Sequence, residues 1–443
     1  MEIREQWRSR SGFVLAAAGS AVGLGNLWGF AYRASQGGGA AFLFLYILIV
    51  LVVCLPVLVA EMVLGRSTGS SPLIAPVKAA GSRWGFMGWL FVIAPLGIGS
   101  FYAVLMGWTL DTFLHSLFFG LPANMSDAQA FFGSISSGSS VILGQLLSLI
   151  LTAIVVSAGI RGGIERLSRW GVPILFALLI ILALWATTLS GTWEGYRTFL
   201  FKIDTSEFFN PSTIRNAFTQ AFFSLSLGIG IMVAYSSYLD KRNQLPKEAL
   251  SVASIDTAVG LLAGLITFPI VMSFGLKEVV NESTVGALFI SLPTGLGTLG
   301  LTGRIVAVLF FALAYIAAIT SSISLLEVPV SSIMDRLGWK RSKAVFVATS
   351  LIFLLGIPSA LNLNILEKMD SIFGGVLLIL GGFLLSIFLG WVVPRMFDED
   401  LAGCNSDQRV RKYLKFMLRW VSPPVIAFGL IVSVIDLFQN WFG

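Results

Sequence analysis

The chain has 443 residues, 56% of them hydrophobic and 12% charged, with a mean hydropathy of +0.87. That much apolar surface and that little charge exclude an ordinary soluble domain. The net charge of +6 follows from basic loops at membrane faces, so nucleic acid is not an expected partner.

Apolar stretches long enough to cross about 30 Å of hydrocarbon recur along the whole chain. Eleven spans are expected: 11–35, 40–65, 86–118, 139–160, 165–190, 213–239, 247–276, 304–334, 342–358, 367–396 and 410–438. The expected fold is therefore all-α and polytopic, a single transporter domain over 1–443. The first span follows MEIREQWRSRSG directly and is too long for a signal peptide. Segment 279–300 is too broken to span and is expected outside, as short helical pieces capping a cavity. With the N-terminus in the cytoplasm, 22 of the 29 Lys and Arg fall in cytoplasmic segments. The expected location is the cell's inner (plasma) membrane, and eleven spans would place the C-terminus outside.

Span 1 contains GSAVGLGNLWGF (19–30) and span 6 contains SLSLGIG (224–230). Both are poor material for a continuous membrane helix. They lie five spans apart, so the two helices run in opposite directions. Glycine-interrupted helices at corresponding positions of two halves indicate an inverted repeat. The halves would be 11–190 (spans 1–5) and 213–396 (spans 6–10), with 410–438 as an added span. An unwound turn leaves backbone N–H and C=O groups that need partners in a bilayer. Helix amino ends favour a carboxylate, and carboxyl ends favour a cation. The chain has one histidine and two cysteines, and it lacks HExxH, Walker and GxSxG motifs. A metalloenzyme or hydrolase is not expected.

REQWRSRSGFVLAAAGSAVGLGNLW (4–28), QGGGAAF (36–42), SLSLGIG (224–230) and AAITSSIS (317–324) together resemble the neurotransmitter:sodium symporter family, in its bacterial amino-acid branch. The resemblance implies the leucine-transporter fold, two sodium ions, no organic cofactor and a small amino acid as substrate. One sodium would be held by Ala21, Asn26, Ser224 and Asp256, together with the substrate carboxylate. The other would be held by Gly19, Val22, Ala317, Thr320 and Ser321. The substrate amino group would meet the carbonyls of Phe223 and Ser224 and the Ser226 region. Its carboxylate would meet the N–H groups of Ala21 and Gly25 and the Tyr102 hydroxyl. Its side chain would lie among Ser20, Leu24, Ile98, Ile229, Ser321 and Leu325, with Phe223 and Tyr102 as a lid. Monoamine carriers of the family have an aspartate at the position of Gly23. Its absence favours an α-amino acid that brings its own carboxylate, and the nearly all-apolar pocket favours a neutral hydrophobic one, aliphatic or aromatic.

Two departures from the family pattern stand out. The outer-gate arginine is replaced by Gly29, while the partner carboxylate is kept as Asp370. Either Arg33, one turn further out, pairs with Asp370 directly or through water, or it reaches the interface and closure relies on Tyr102 and Phe223. The second departure is Asp256, where many members have asparagine. The chloride ligands of the family map to Tyr46, Gln220, Ser224 and position 256, with Gly260 at the fifth. A fixed carboxylate implies chloride-independent transport. Glu61 is expected to hold N–H groups of the unwound stretches, with proton carriage as the alternative. The inner gate would pair Arg4 with Asp335, with Trp7, Ser237 and Tyr238 around them. The rival to a symporter is a sodium-dependent sensor or a substrate-gated channel on the same fold.

Overall fold

The structure, a computed structural model, describes residues 5–275, 284–404 and 406–442. Helix dominates throughout. Nine continuous helices among the described residues are long and apolar enough to cross a membrane: Ala40–Thr68, Ser82–Phe118, Gly138–Ser157, Ile160–Ala186, Leu245–Ser273, Gly300–Leu337, Arg341–Leu361, Leu363–Val392 and Gln408–Ile435. A tenth is a pair, Arg10–Ala21 and Gly25–Gln36, bent by 69°.

The expected span 6 does not pass as one helix. It forms Pro211–Ser224 and Ile231–Ser236, and neither half is long enough alone. By length and composition the count therefore stops at ten rather than eleven. Two ends also differ from expectation. Span 5 starts at Ile160, straight after Gly159 at φ +84°. Span 10 stops at Val392, because Pro394 opens a separate helix, Pro394–Gly403. Of the expected external segment, residues 279–283 lie outside the described residues. The rest folds into the short turns Thr284–Gly286, Ala287–Ser291 and Leu292–Gly297.

Local chemistry fixes several ends. The Ser9 hydroxyl accepts from the Gly12 N–H at 3.0 Å and caps span 1. Asn210 caps span 6 in front of Pro211. Span 2 ends at Gly69 and span 8 at Gly338, both left-handed.

Burial sorts the spans. Of the most apolar window, 78% is buried in span 3 but only 28% in spans 5 and 11. Span 3 therefore packs inside the bundle, while spans 5 and 11 turn most of their apolar surface outward. The two broken helices lie at the centre, where every residue of Gly228–Leu239 is buried.

Candidate functional site

The span 6 break runs from Leu225 to Gly230. It holds Ser226 at φ +50°, Gly228 at +79° and Gly230 at +74°. Ser226 is the one described non-glycine residue with positive φ, a conformation that costs a side-chain-bearing residue energy. At Gly228 a Cβ would lie 2.1 Å from the Leu378 carbonyl and 2.4 Å from the Gly382 nitrogen. The loop is thus pressed into a glycine notch of span 10. Its freed N–H groups find a dedicated acceptor in Glu61 of span 2. Gly228 donates to Oε1 at 2.6 Å and Met232 to Oε2 at 3.2 Å. Glu61 is fully buried, and these bonds place it in the holding role.

The span 1 break is shorter. Val22 is extended (φ −79°, ψ 107°). The Gly23 N–H donates to Asn26 Oδ1 at 3.2 Å and the Leu24 N–H to the Tyr102 hydroxyl at 3.3 Å. From span 8, the Ser321 hydroxyl reaches the carbonyls of Ser20 and Val22, each at 3.1 Å. Gln220 Nε2 donates to the Gly25 carbonyl at 3.3 Å.

Between the breaks lies a buried oxygen cluster. Asn26 Nδ2 donates to Ser224 Oγ and to Asp256 Oδ1, both at 2.6 Å. The Ser224 hydroxyl lies 2.7 Å from each Asp256 oxygen, and the Tyr46 hydroxyl donates to Asp256 Oδ2 at 3.0 Å. Asp256 is fully buried. Its partners are all neutral, and no Lys, Arg or His among the described residues pairs with it. A buried carboxylate without a counter-cation is expensive, and a bound monovalent cation would neutralise it. Among the described residues no three His, Cys, Asp or Glu side chains are grouped so as to hold a metal ion. The donors here are hard oxygens, which suit sodium.

A second oxygen set lies across span 1. Thr320 Oγ1 is 2.9 Å from the Ala317 carbonyl, and Ser321 Oγ is 3.3 Å from it and 3.1 Å from the Val22 carbonyl. Gly19 faces this set, since a Cβ there would lie 3.4 Å from Thr320 Cβ. The structure thus brings Gly19, Val22, Ala317, Thr320 and Ser321 to one place.

The pocket beside these clusters has a volume of about 30 Å³. Ser20, Ala21, Gly25, Ile98, Tyr102, Phe223, Ser226, Ile229, Ser321 and Leu325 of the expected set line it. Leu24 does not: it faces the outer vestibule. Ser224 does not either, because its hydroxyl is committed to Asp256. Three further residues complete the wall: Gly23, the position of the monoamine carriers' aspartate, Asn26, expected at the first sodium site, and Leu378, which was not expected. A Cβ on Gly23 would sit 2.9 Å from Ser321 Oγ and 3.0 Å from the Tyr102 hydroxyl, so a side chain there would displace both. Leu378 enters through the notch that receives Gly228. The adjacent pair Gly381–Gly382 was the only signal of that approach.

Outside the Tyr102 and Phe223 rings lies a vestibule of about 260 Å³ that includes Gly29, Arg33, Glu367 and Asp370. Phe223 lies against Gly25, where a Cβ would come within 2.5 Å of its ring. Arg33 folds back toward Gly29, with Nη1 4.0 Å from where a Gly29 Cβ would be. It hydrogen-bonds Gln220 and lies 5.9 Å over the Phe223 ring. Direct pairing with Asp370 is not what the geometry shows. The two charges face the same vestibule and are coupled through space, and the direct partner of Arg33 is Gln220.

At the expected inner gate, Arg4 lies outside the described residues, so its pairing with Asp335 is not described. Asp335 accepts from the Ser71 N–H at 2.6 Å. Trp7 donates through Nε1 to the Tyr235 carbonyl at 2.8 Å and through its N–H to the Tyr238 carbonyl at 3.3 Å. The Tyr238 hydroxyl donates to Glu327 at 2.8 Å, and Glu327 pairs with Arg341. This buried ion pair escaped sequence reasoning.

Two broken helices facing each other across a pocket flanked by two oxygen clusters define a cation-coupled membrane transporter rather than an enzyme. Residues 4–132 and 125–442 match the Sodium:neurotransmitter symporter family. The chain is 36% identical over 461 residues to the uncharacterized sodium-dependent transporter YhdH of Bacillus subtilis, covering 99% of this chain and 98% of that protein. It is 32% identical to an uncharacterized sodium-dependent transporter of Methanocaldococcus jannaschii, covering 99% and 92%. Among solved structures it is similar to MhsT in complex with L-phenylalanine, with TM-score 0.88 and 37% identity, covering 97% of this chain and 100% of that one. The chain belongs to the sodium:neurotransmitter symporter family. It is a sodium-coupled membrane transporter of the leucine-transporter fold.

Proposed function

We propose that this protein imports a neutral hydrophobic L-amino acid, aliphatic or aromatic, together with two sodium ions by alternating access. The observation that carries the reading is the buried Asp256–Asn26–Ser224 cluster. It leaves a carboxylate without a protein counter-cation next to a pocket walled by two helix breaks. The wall carries no charged side chain and presents Ile98, Ile229, Leu325 and Leu378. Such a wall suits an apolar side chain whose carboxylate and ammonium meet backbone and sodium. The L-phenylalanine bound to MhsT agrees with that chemistry. A volume of about 30 Å³ has room for little more than water. Binding therefore requires Phe223 or the aliphatic wall to move.

Transport is chloride-independent in this reading. The Asp256 carboxylate stands where Tyr46 and Ser224 converge. Gln220 is taken by Arg33 and the Gly25 carbonyl, and Gly260 packs on the Phe30 ring. Spans 1–5 (11–190) and 6–10 (213–396) act as the two inverted repeats, with 410–438 added. The protein lies in the plasma membrane with its N-terminus inside and its C-terminus outside. Arg33, held by Gln220, and Asp370 form the outer gate through water, together with Tyr102 and Phe223. Arg4 and Asp335 form the inner gate.

The rival, a sodium-dependent sensor or substrate-gated channel, draws on one observation: Arg33 donates to Gln220 instead of closing on Asp370. Uptake of labelled neutral amino acids into proteoliposomes separates these readings. Sodium-driven accumulation in gluconate medium supports the symporter. Binding without flux supports the sensor, flux that only equilibrates supports the channel, and loss of uptake in gluconate refutes chloride independence.

A further inference from the structure

Two clefts on the basic face of the molecule lie outside the transport path. One, of about 840 Å³, opens between the end of span 2, the loop after span 6 and the helix Pro394–Gly403, and Lys241, Arg395, Glu399 and Asp400 face it. The other, of about 530 Å³, is a groove between spans 10 and 11 lined mainly by Phe383, Ile387, Trp391, Trp420 and Pro423, with Arg419 at its foot. Trp391 lines both, so a polar cleft continues into an apolar groove. Trp391, Ile387 and Phe383 repeat every four residues and make a stripe about 12 Å long.

The charges at the junction are unbalanced. Asp400 is already neutralised by Arg66, at 2.5 and 3.2 Å, and Asp398 is paired with Lys415. Among the described residues Glu399 is then the one carboxylate lining the polar cleft without an ion pair, against Lys241 and Arg395 in that cleft and Arg419 in the adjoining groove. None of these three cationic side chains hydrogen-bonds or ion-pairs with protein among the described residues. The Arg419 guanidinium is held over Trp391 at 4.2 Å and Trp420 at 5.6 Å, and Trp391 Nε1 fixes the stack by donating to the Arg419 carbonyl at 3.0 Å. Arg419 Nε is buried and has no hydrogen-bond partner. A buried donor without an acceptor is destabilising, and a phosphate oxygen would satisfy it in charge-assisted form. Paired tryptophans with basic residues are what a headgroup-level site needs.

We propose that this continuous cleft binds one anionic glycerophospholipid. Its phosphate sits on Arg419, its headgroup extends toward Arg395 and Lys241, and an acyl chain lies along the groove between spans 10 and 11. A zwitterionic lipid fits the groove equally well but lacks the net charge that three cations against one carboxylate select.

Native mass spectrometry of the full chain, with phosphatidylglycerol or phosphatidylcholine added at equal concentration, tests this directly. The expected result is retention of one phosphatidylglycerol in preference to phosphatidylcholine. Retention should fall about fivefold for each cation removed, as in Arg419→Gln and Arg395→Gln. Lys412→Gln, exposed and lining neither cleft, should retain the lipid as the parent does. If Arg419→Gln is not monodisperse, the exposed pair Lys241→Gln and Arg395→Gln decides. Equal retention of both lipids, or unchanged retention in the variants, overturns the proposal. Inorganic phosphate raising the melting temperature as much as phosphatidylglycerol also overturns it, because the site would then be an anion site without a lipid.

Discussion

The two helix breaks differ in how their freed backbone is satisfied. The span 6 break is long, carries three positive φ angles and is held by a buried carboxylate, Glu61, from an unbroken helix. The span 1 break is short and is held by Asn26, Tyr102 and Ser321, side chains that also line the pocket or belong to the cation clusters. One break is fixed by the scaffold. The other is fixed by groups that a ligand must share. In the proposed account, span 1 is the half that sodium and substrate reorganise, while the span 6 loop from Gly228 to Met232 stays fixed on Glu61.

The largest expected effect is on the scaffold side. Glu61→Ala leaves two buried N–H groups without an acceptor, at about 1–3 kcal/mol each. Uptake should vanish and the melting temperature should fall even with saturating sodium and substrate. Gly228→Ala should behave alike, since its Cβ meets backbone at 2.1 Å and no rotamer relieves it. A thermal melt that matches the parent in either variant would break the distinction between the breaks.

Asp256→Asn comes next. It removes the fixed charge from the first cation cluster. Sodium affinity should drop at least about tenfold, a difference of about 1.4 kcal/mol, in gluconate and in chloride alike, because Gln220 and Gly260 leave no complete anion site. Sodium titration of substrate binding in the two anions checks it. Gly23→Ala sharpens the contrast with Gly228→Ala. Its Cβ meets side-chain oxygens at 2.9 and 3.0 Å, which can give way. Substrate affinity should fall several-fold while the melt stays within a few degrees, about 1 kcal/mol of stability. The smallest effect belongs to Arg33→Gln. It loses one hydrogen bond and a cation–π contact at a partly buried site, together about 1 kcal/mol. Substrate release toward the outside should quicken a few-fold with little change in sodium affinity, as measured by dissociation of prebound label.

Both breaks were legible in the sequence because glycine density inside an apolar stretch is a local signal. The expected ion and pocket residues came from motif resemblance, and the structure gathers nearly all of those it describes. Contacts between distant spans have no such local signature. Leu378 reaches the pocket only because Gly228 and Gly381–Gly382 let spans 6 and 10 touch. Arg33 turns toward Gln220 because that amide also holds the Gly25 carbonyl, a relay across 187 residues of sequence. The Glu327–Arg341 pair was hidden for a different reason: Arg341 reads as one of many basic residues near a membrane face. A count by length and composition stops at ten because the unwound region of span 6 leaves neither half long enough to pass alone.

The most direct test is the steady-state accumulation of a labelled neutral amino acid in proteoliposomes, with membrane potential clamped and the sodium gradient varied in gluconate. Two coupled sodium ions predict that the accumulation ratio rises with about the second power of the sodium ratio, because each site's occupancy is linked to the substrate's. An accumulation ratio that stays at unity whatever the gradient would contradict sodium-coupled import by this protein.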